Sequence, residues 1–357
     1  MLPFYFLAFG PPAIGYFFFS RRRHKKKQAV LSMILFFAGF LFMVACRDFS
    51  IGIDNKNYRY IFEALQGRRW QKLVDALEIE WGFTYLNKAV ALISKEYQAF
   101  VMVVAAISII PVAIMYIKES ESTFLTILLF LNIGIFSMYF SGLRQVIAMA
   151  FIVPVYYFTK HKKLIPFILS VLVAMLFHQS AFVLFIFYPV YHAKITAKKF
   201  LFIFPAVIVA YFFNSQIFSL LIGIMGGKYE ERYGDVESTG AIMMIILFAI
   251  FVIYSYFIAD EDKLDADTIG LRNLLIICLI FQLFAPVNSV AMRMNYYFLP
   301  FLPLTVPKMA NRCKSNYGQL AWLSVGVMIG FFAIYFIYNM YTSADILRIF
   351  PYKTFWE

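Results

Sequence analysis

The chain has 357 residues, 62% of them apolar, 20% aromatic and 15% charged, with a formal net charge of +12. That balance excludes an ordinary soluble domain, which carries about 25% charged residues and would aggregate with so much apolar surface. Nucleic-acid binding is excluded as well, because the basic residues lie in short loops between apolar runs, with no soluble module to hold them.

Taken in chain order, the apolar runs are continuous rather than alternating. They predict an all-α polytopic transmembrane helix bundle, since an open sheet in lipid leaves backbone groups unpaired. The whole of 1–357 reads as a single integral membrane domain. The first run, 2–20, is followed by Arg21-Arg22-Arg23-His24-Lys25-Lys26-Lys27. A cleavable signal peptide has its basic residues in front, so this block instead marks a cytoplasmic loop and turns the preceding end outward. Further spans are expected near 29–46, 97–117, 124–140, 143–159, 164–178, 179–191, 200–222, 240–259, 271–287, 294–310 and 319–340, about twelve in all.

The loops 118–123, 160–163, 192–199, 260–270 and 311–318 then lie inside. Lys160, Lys162 and Lys163, then Lys194, Lys198 and Lys199, then Arg312 and Lys314 agree with that orientation. The stretch 164–191 must go out and return, which predicts a bend near His178-Gln179-Ser180. The loop 260–270 is acidic, and acidic residues contribute little to orientation. Cys46, Cys278 and Cys313 have neither metal nor disulfide spacing and read as packing residues.

The long outer segment, 47–96, carries apolar residues at helical spacing: Tyr58, Ile61, Phe62 and Leu65, then Trp70, Leu73, Val74 and Leu77, then Leu86, Val90 and Ile93. These predict short amphipathic helices on the outer leaflet, with Trp70 and Trp81 at the headgroup level.

Polar residues gather in the same outer layer. Arg47, Asp54 and Tyr58 follow the second span, and Glu80-Trp81-Gly82 comes later in the segment. Ser141, Arg144 and Gln145 open the fifth span, His178-Gln179-Ser180 sits at the bend, and Asn288 and Arg293 flank the last outer turn. Any one of these has an ordinary reading as a solvated or snorkelling side chain. Together they suit an anionic lipid-linked substrate, because a guanidinium keeps its charge and matches phosphate oxygens with a planar fork. Arg144 falls in the first turn of an outward-starting helix, where free N–H groups favour an anion. Ser141 is placed to cap that helix, and Gly142 to admit a bulky headgroup.

The order Arg47-x6-Asp54-x3-Tyr58, Glu80-x-Gly82, Ser141-x2-Arg144-Gln145, His178-Gln179-Ser180 resembles the EpsG family, Wzy-like proteins of capsule and exopolysaccharide synthesis; Arg293-x2-Tyr296-Tyr297 resembles it more loosely. The resemblance implies polymerisation of oligosaccharide repeat units carried on undecaprenyl pyrophosphate, at the outer face of the bacterial plasma membrane. Membrane lipid and other capsule or exopolysaccharide assembly proteins are the implied surroundings.

In such a transfer Arg47, Arg144 and Arg293 are candidates to steady the departing charge, with Tyr58, Ser141, Gln145, Gln179 and Ser180 as further substrate contacts. Asp54, Glu80 and His178 are candidate bases, and the sequence does not choose among them. No cofactor and no metal are expected, since the outer layer has no ligand cluster. A flippase or transporter, a membrane O-acyltransferase using His178, and a nucleotide-sugar transferase using Asp260-Glu261-Asp262 and Asp265-Ala266-Asp267 are the alternatives. The first would need ionisable residues at the bilayer midplane, the second leaves the arginines unexplained, and the third lacks a nucleotide-binding domain.

Overall fold

The computed structural model describes residues 2–18, 25–67, 70–224, 239–287, 289–342 and 348–357. Arg21 to His24 of the basic block and Asn288 of the last outer turn lie outside the described residues. The chain forms two compact units, one of 1–184 with 327–357 and one of 185–326. The described residues contain no strand, only two isolated bridges, Arg47 with Thr354 and Ala259 with Cys313.

The first unit holds α1 (Leu2–Phe18), α2 (Lys25–Ala45), α3 (Asn55–Leu65), α4 (Trp70–Leu77), α5 (Trp81–Ile93), α6 (Tyr97–Glu119), α7 (Thr123–Asn132), α8 (Ile135–Ser141), α9 (Leu143–Ala150), α10 (Ile152–Lys160) and α11 (Leu164–Met175). A 3-10 stretch, Gln179–Ile186, leads into the second unit. That unit holds α12 (Phe187–His192), α13 (Ala197–Phe212), α14 (Asn214–Ile224), α15 (Thr239–Ile258), α16 (Ala266–Leu283), α17 (Ser289–Asn295) and α18 (Leu302–Asn311). The last helix, α19 (Gly318–Thr342), returns the chain to the first unit.

Among the described residues four helices, α2, α6, α16 and α19 with the turn before it, are long and apolar enough to cross a membrane; there are six if the bent pairs α7–α8 and α13–α14 each count as one span. The protein is therefore a multi-pass membrane protein, and these helices do not establish twelve crossings.

The physical reason for the difference is breakage inside the predicted runs. The run 124–140 bends by 53° where Gly134 takes φ +87°, and 200–222 bends by 83° at Phe213. The run 143–159 is interrupted at Phe151, giving helices of 8 and 9 residues. Eight residues rise only about 12 Å, well short of the hydrocarbon thickness. The expected break at 178–180 is present, with α11 ending at Met175 and the 3-10 stretch starting at Gln179.

The core of the first unit is aromatic. Phe36, Phe37 and Phe40 of α2 meet Phe130 of α7, Tyr116 of α6 and Tyr139 of α8, mostly edge to face. Such pairs add about 0.5–1.5 kcal/mol each beyond burial and hold the helix ends in register. The short helices of 47–96 pack onto this core: α3 buries Tyr58, Phe62 and Leu65, with Phe62 stacked on Phe100 of α6 at 5.3 Å. The stripes on α4 and α5 are buried only in part, through Val74 and Val90, while Ile93 is 90% exposed.

Residues 348–357 lie across the turn that follows α2. Their backbone bonds run from Asp48 N–H to Lys353 O, Gly52 N–H to Arg348 O and Phe355 N–H to Cys46 O, each at 3.0 Å. The Tyr352 hydroxyl donates to Met43 O at 2.9 Å, and Phe4 packs against Phe350. Gly52 has φ +92°, and a Cβ there would overlap the carbonyl oxygen of Phe140, so only glycine lets this turn lie against the end of α8.

Candidate functional site

Three distant segments of the first unit meet at Glu80. The start of α5 is drawn against the end of α11, where Gly82 N–H donates to Leu176 O at 2.8 Å. A Cβ at position 82 would lie 2.6 Å from that oxygen, so the approach requires glycine. The contact sets Glu80, just before α5, beside His178, just after α11.

Glu80 is the hub. Its Oε1 lies 3.1 Å from His178 Nδ1 and accepts from Gln179 N–H at 3.3 Å. Its Oε2 accepts from Arg144 Nη1 at 2.8 Å. Side-chain exposure is 8% for Glu80, 18% for His178 and 30% for Arg144, so the group is largely dry but open on the cationic side. Burial pushes the Glu80 carboxyl up, but the hydrogen bond with His178 and the charge of Arg144 more than reverse this and hold it down at about 2. Glu80 stands at the N-cap position of α5 without a side-chain capping bond, because its oxygens face Arg144 and His178 instead.

Arg144 is the second residue of α9, as the sequence predicts. Its buried Nε has no hydrogen-bond partner. The hydroxyl of Tyr58 lies within its reach, and the Tyr58 ring packs edge-on against Phe83 at 5.7 Å.

The other candidates fall into separate arrangements. Ser141 does not cap α9, whose N-cap is Gly142 without a side-chain bond. Its hydroxyl instead accepts from Asp54 N–H at 3.3 Å and donates to Asp54 Oδ2 at 3.4 Å, joining the turn before α3 to the end of α8. Ser141 is the last residue of α8, and the close contact of Gly52 with Phe140 sets Asp54 beside its hydroxyl.

Arg47 is 1% exposed. It donates to Val44 O at 2.5 Å and to Asn55 Oδ1 at 3.3 Å, and lies over the Phe140 ring at 5.8 Å. Gln145 is buried on α9, and Ser180 is half-buried on the 3-10 stretch. Arg293 is half-buried on α17 of the second unit, outside this group of first-unit residues.

Sequence reasoning misses Asn55, which is fully buried, accepts from both Arg47 and Tyr97 (3.2 Å) and donates to Ile51 O. Its only local signal is its place inside a polar run. Gly82 is legible as part of a motif, but its task, a backbone contact with a residue 94 positions on, is not.

The second unit has its own charged network. Arg272, fully buried, makes two bonds to Glu261 at 2.6 and 3.1 Å, one to Ile195 O at 3.0 Å, and stacks over Tyr256 at 4.1 Å. Asp267 pairs with Lys308 at 3.3 Å and accepts from Tyr191 at 2.5 Å. Asp265 caps α16 through Thr268 N–H, and Asp260 caps the 3-10 turn Glu261–Lys263 that precedes α16 and pairs with Lys263 at 3.2 Å. Four of the five acids in this loop are thus engaged in holding the structure. Among the described residues no group of three or more His, Cys, Asp or Glu side chains is arranged to hold a metal ion.

The sequence matches the EpsG family over residues 30–354, nearly the whole chain. No curated protein and no solved structure matches.

Proposed function

The chain belongs to the EpsG family of Wzy-like polysaccharide polymerases, and from that premise we propose that it joins oligosaccharide repeat units carried on undecaprenyl pyrophosphate. The reaction takes place at the outer face of the bacterial plasma membrane, in a bundle of about twelve crossings with the broken helices counted as spans or re-entrant pieces. The observation that carries the reading is the convergence of Arg144 and His178 on the single carboxylate of Glu80, at 2.8 and 3.1 Å. A permanent cation with an unused donor, beside an imidazole in a mostly dry pocket, is what displacement at a sugar carbon bearing a diphosphate requires.

In this reading Arg144, with Tyr58 beside it, holds the diphosphate oxygens and steadies the charge that leaves. Ser141 and Asp54 fix the turn that presents Arg144. Arg47, fully buried with its donors turned to Val44 and Asn55, supports the layer from behind. Gln145, Gln179, Ser180 and Arg293 remain candidate contacts to the glycan or its carrier. The acidic loop of the second unit does not favour a nucleotide-sugar site, since Glu261 and Asp267 already neutralise Arg272 and Lys308.

The test is the lipid-linked material that accumulates in a strain lacking the protein. Single repeat units on undecaprenyl pyrophosphate, displayed outside, are expected; repeats trapped inside would make the protein a flippase. Orientation is checked with single cysteines at the exposed positions Lys56 and Lys162. An impermeant thiol reagent should label the first from outside and not the second.

A further inference from the structure

We infer that Glu80 is a positioning residue rather than the base: it holds His178 in the tautomer protonated at Nδ1, so that Nε2 takes the proton from the attacking hydroxyl. This rests on the polymerase reading above and deepens it by choosing among Asp54, Glu80 and His178.

The geometry separates the three. Asp54 has Oδ2 and its backbone N–H joined to Ser141 rather than to Glu80 or His178. Glu80 has both oxygens occupied, Oε1 by His178 Nδ1 and Gln179 N–H and Oε2 by Arg144. A carboxylate satisfied on both oxygens and paired with a guanidinium is a weak base. His178 presents Nδ1 to Glu80, and the partner of one ring nitrogen sets the state of the other. With Nδ1–H donated to Glu80, the lone pair of Nε2 remains for a proton. Gly82 supplies the register, its N–H fixed to Leu176 two residues before His178.

In the transfer, the acceptor hydroxyl oxygen forms the new bond to the anomeric carbon. The bond from that carbon to the diphosphate oxygen breaks, and its electron pair leaves with the lipid diphosphate beside Arg144. The hydroxyl proton goes to His178 Nε2 and then to water.

The charged and titratable groups facing His178 are Glu80 at the start of α5, Arg144 on α9 through Glu80, and Tyr58 on α3 beside Arg144. Replacing Glu80 by Gln removes the carboxylate charge that faces Nδ1, so the acid limb of the kcat profile should move to lower pH. The enzyme should lose roughly 100- to 1,000-fold in kcat with KM changed less than about threefold, and His178→Gln should lose as much and abolish the limb.

The experiment uses the full chain in nanodiscs, with lipid-diphosphate-linked repeat units extracted from a strain lacking the protein. Nitrogen-15 spectra of His178, assigned by comparison with His178→Gln, report the tautomer without need of activity. An Nδ1–H signal in the wild type that changes in Glu80→Gln, with the displaced acid limb, supports the inference. An Nε2–H signal overturns it. So does an acid limb that survives in His178→Gln or stays in place in Glu80→Gln. If the wild type makes no polymer while Nδ1–H is observed, the polymerase reading fails and the base role with it, although the contact itself stands.

Discussion

Each unit of the molecule contains a knot of charge, and the two are finished differently. In the second unit Arg272 meets Glu261 through two bonds, stacks on Tyr256 and binds Ile195 O, while Lys308 meets Asp267, which also takes Tyr191. Cation and anion are matched one to one. In the first unit a single carboxylate, Glu80, serves both Arg144 and His178, and the Arg144 side chain is 30% exposed where that of Arg272 is fully buried. A cation enclosed with its own carboxylate holds helices together, whereas a guanidinium left partly open beside a shared carboxylate can also meet an anion from outside.

The sharpest break of that contrast is Arg144→Ala, measured as polymer formed per mole of well-inserted protein. Removing a donor aimed at developing charge costs about 2.7–4 kcal/mol, so a loss of a hundredfold or more is expected. Lysine keeps the charge but not the fork and should retain part of the rate. Near-normal polymer from the alanine variant would mean that Arg144 only reaches for headgroups.

In the second unit the corresponding change, Arg272→Ala, should act on stability instead. Breaking a buried pair costs about 3–5 kcal/mol, and Glu261, being 38% exposed, can return to water, which favours the lower end. A lower unfolding midpoint in detergent with unchanged turnover per folded molecule is the expected result; lost turnover in folded protein would erase the distinction between the two networks.

Gly82→Ala should be milder. The added Cβ must move α5 away from Leu176, and a displacement approaching 1 Å at a catalytic group costs up to about a hundredfold in rate. Roughly ten- to a hundredfold is expected, with an unfolding midpoint less affected than in Arg272→Ala.

A smaller effect concerns acid. Glu80 is held down at about 2 against an ordinary value of 4.5, so its stabilising contribution is complete above about 4.5 and disappears as pH falls through about 2. Near pH 7 Glu80→Gln should therefore lower the unfolding midpoint, and the gap between the two proteins should close as pH falls from about 4.5 to about 2; a gap that stays open there would reveal a different titration. The smallest expected effect is that of a chelator, which should leave polymerisation unchanged. Complete, reversible loss in EDTA would return the acidic residues to consideration as metal ligands.

Much of the first network was legible because its members are rare in an apolar chain. Arg144, Glu80 and His178 stand out from their surroundings, and the positive loops place them in one layer. What composition does not carry is pairing over long separations. That Glu80 meets residues 64 and 98 positions away depends on the Gly82 contact, and that Ser141 turns to Asp54 rather than capping α9 depends on Gly52 packing against Phe140. Span counting fails for a related reason. Hydropathy sums over a window and ignores the dihedral at Gly134 or the break at Phe151, so a bent pair and a straight helix look alike.

The clasp of residues 348–357 on the turn after α2 has a consequence for how the molecule is made. Tyr352 and Met43 are 309 positions apart, and residues 185–326 are synthesised between them. The ribosome therefore delivers the whole second unit while the turn that leads to Asp54 still lacks its backbone partners. Closing so long a loop is slow, and it comes last. This turn is completed only after nearly every helix has been synthesised, so a nascent chain stalled before residue 348 carries Arg144, Glu80 and His178 without the backing that residues 348–357 give to the turn after α2.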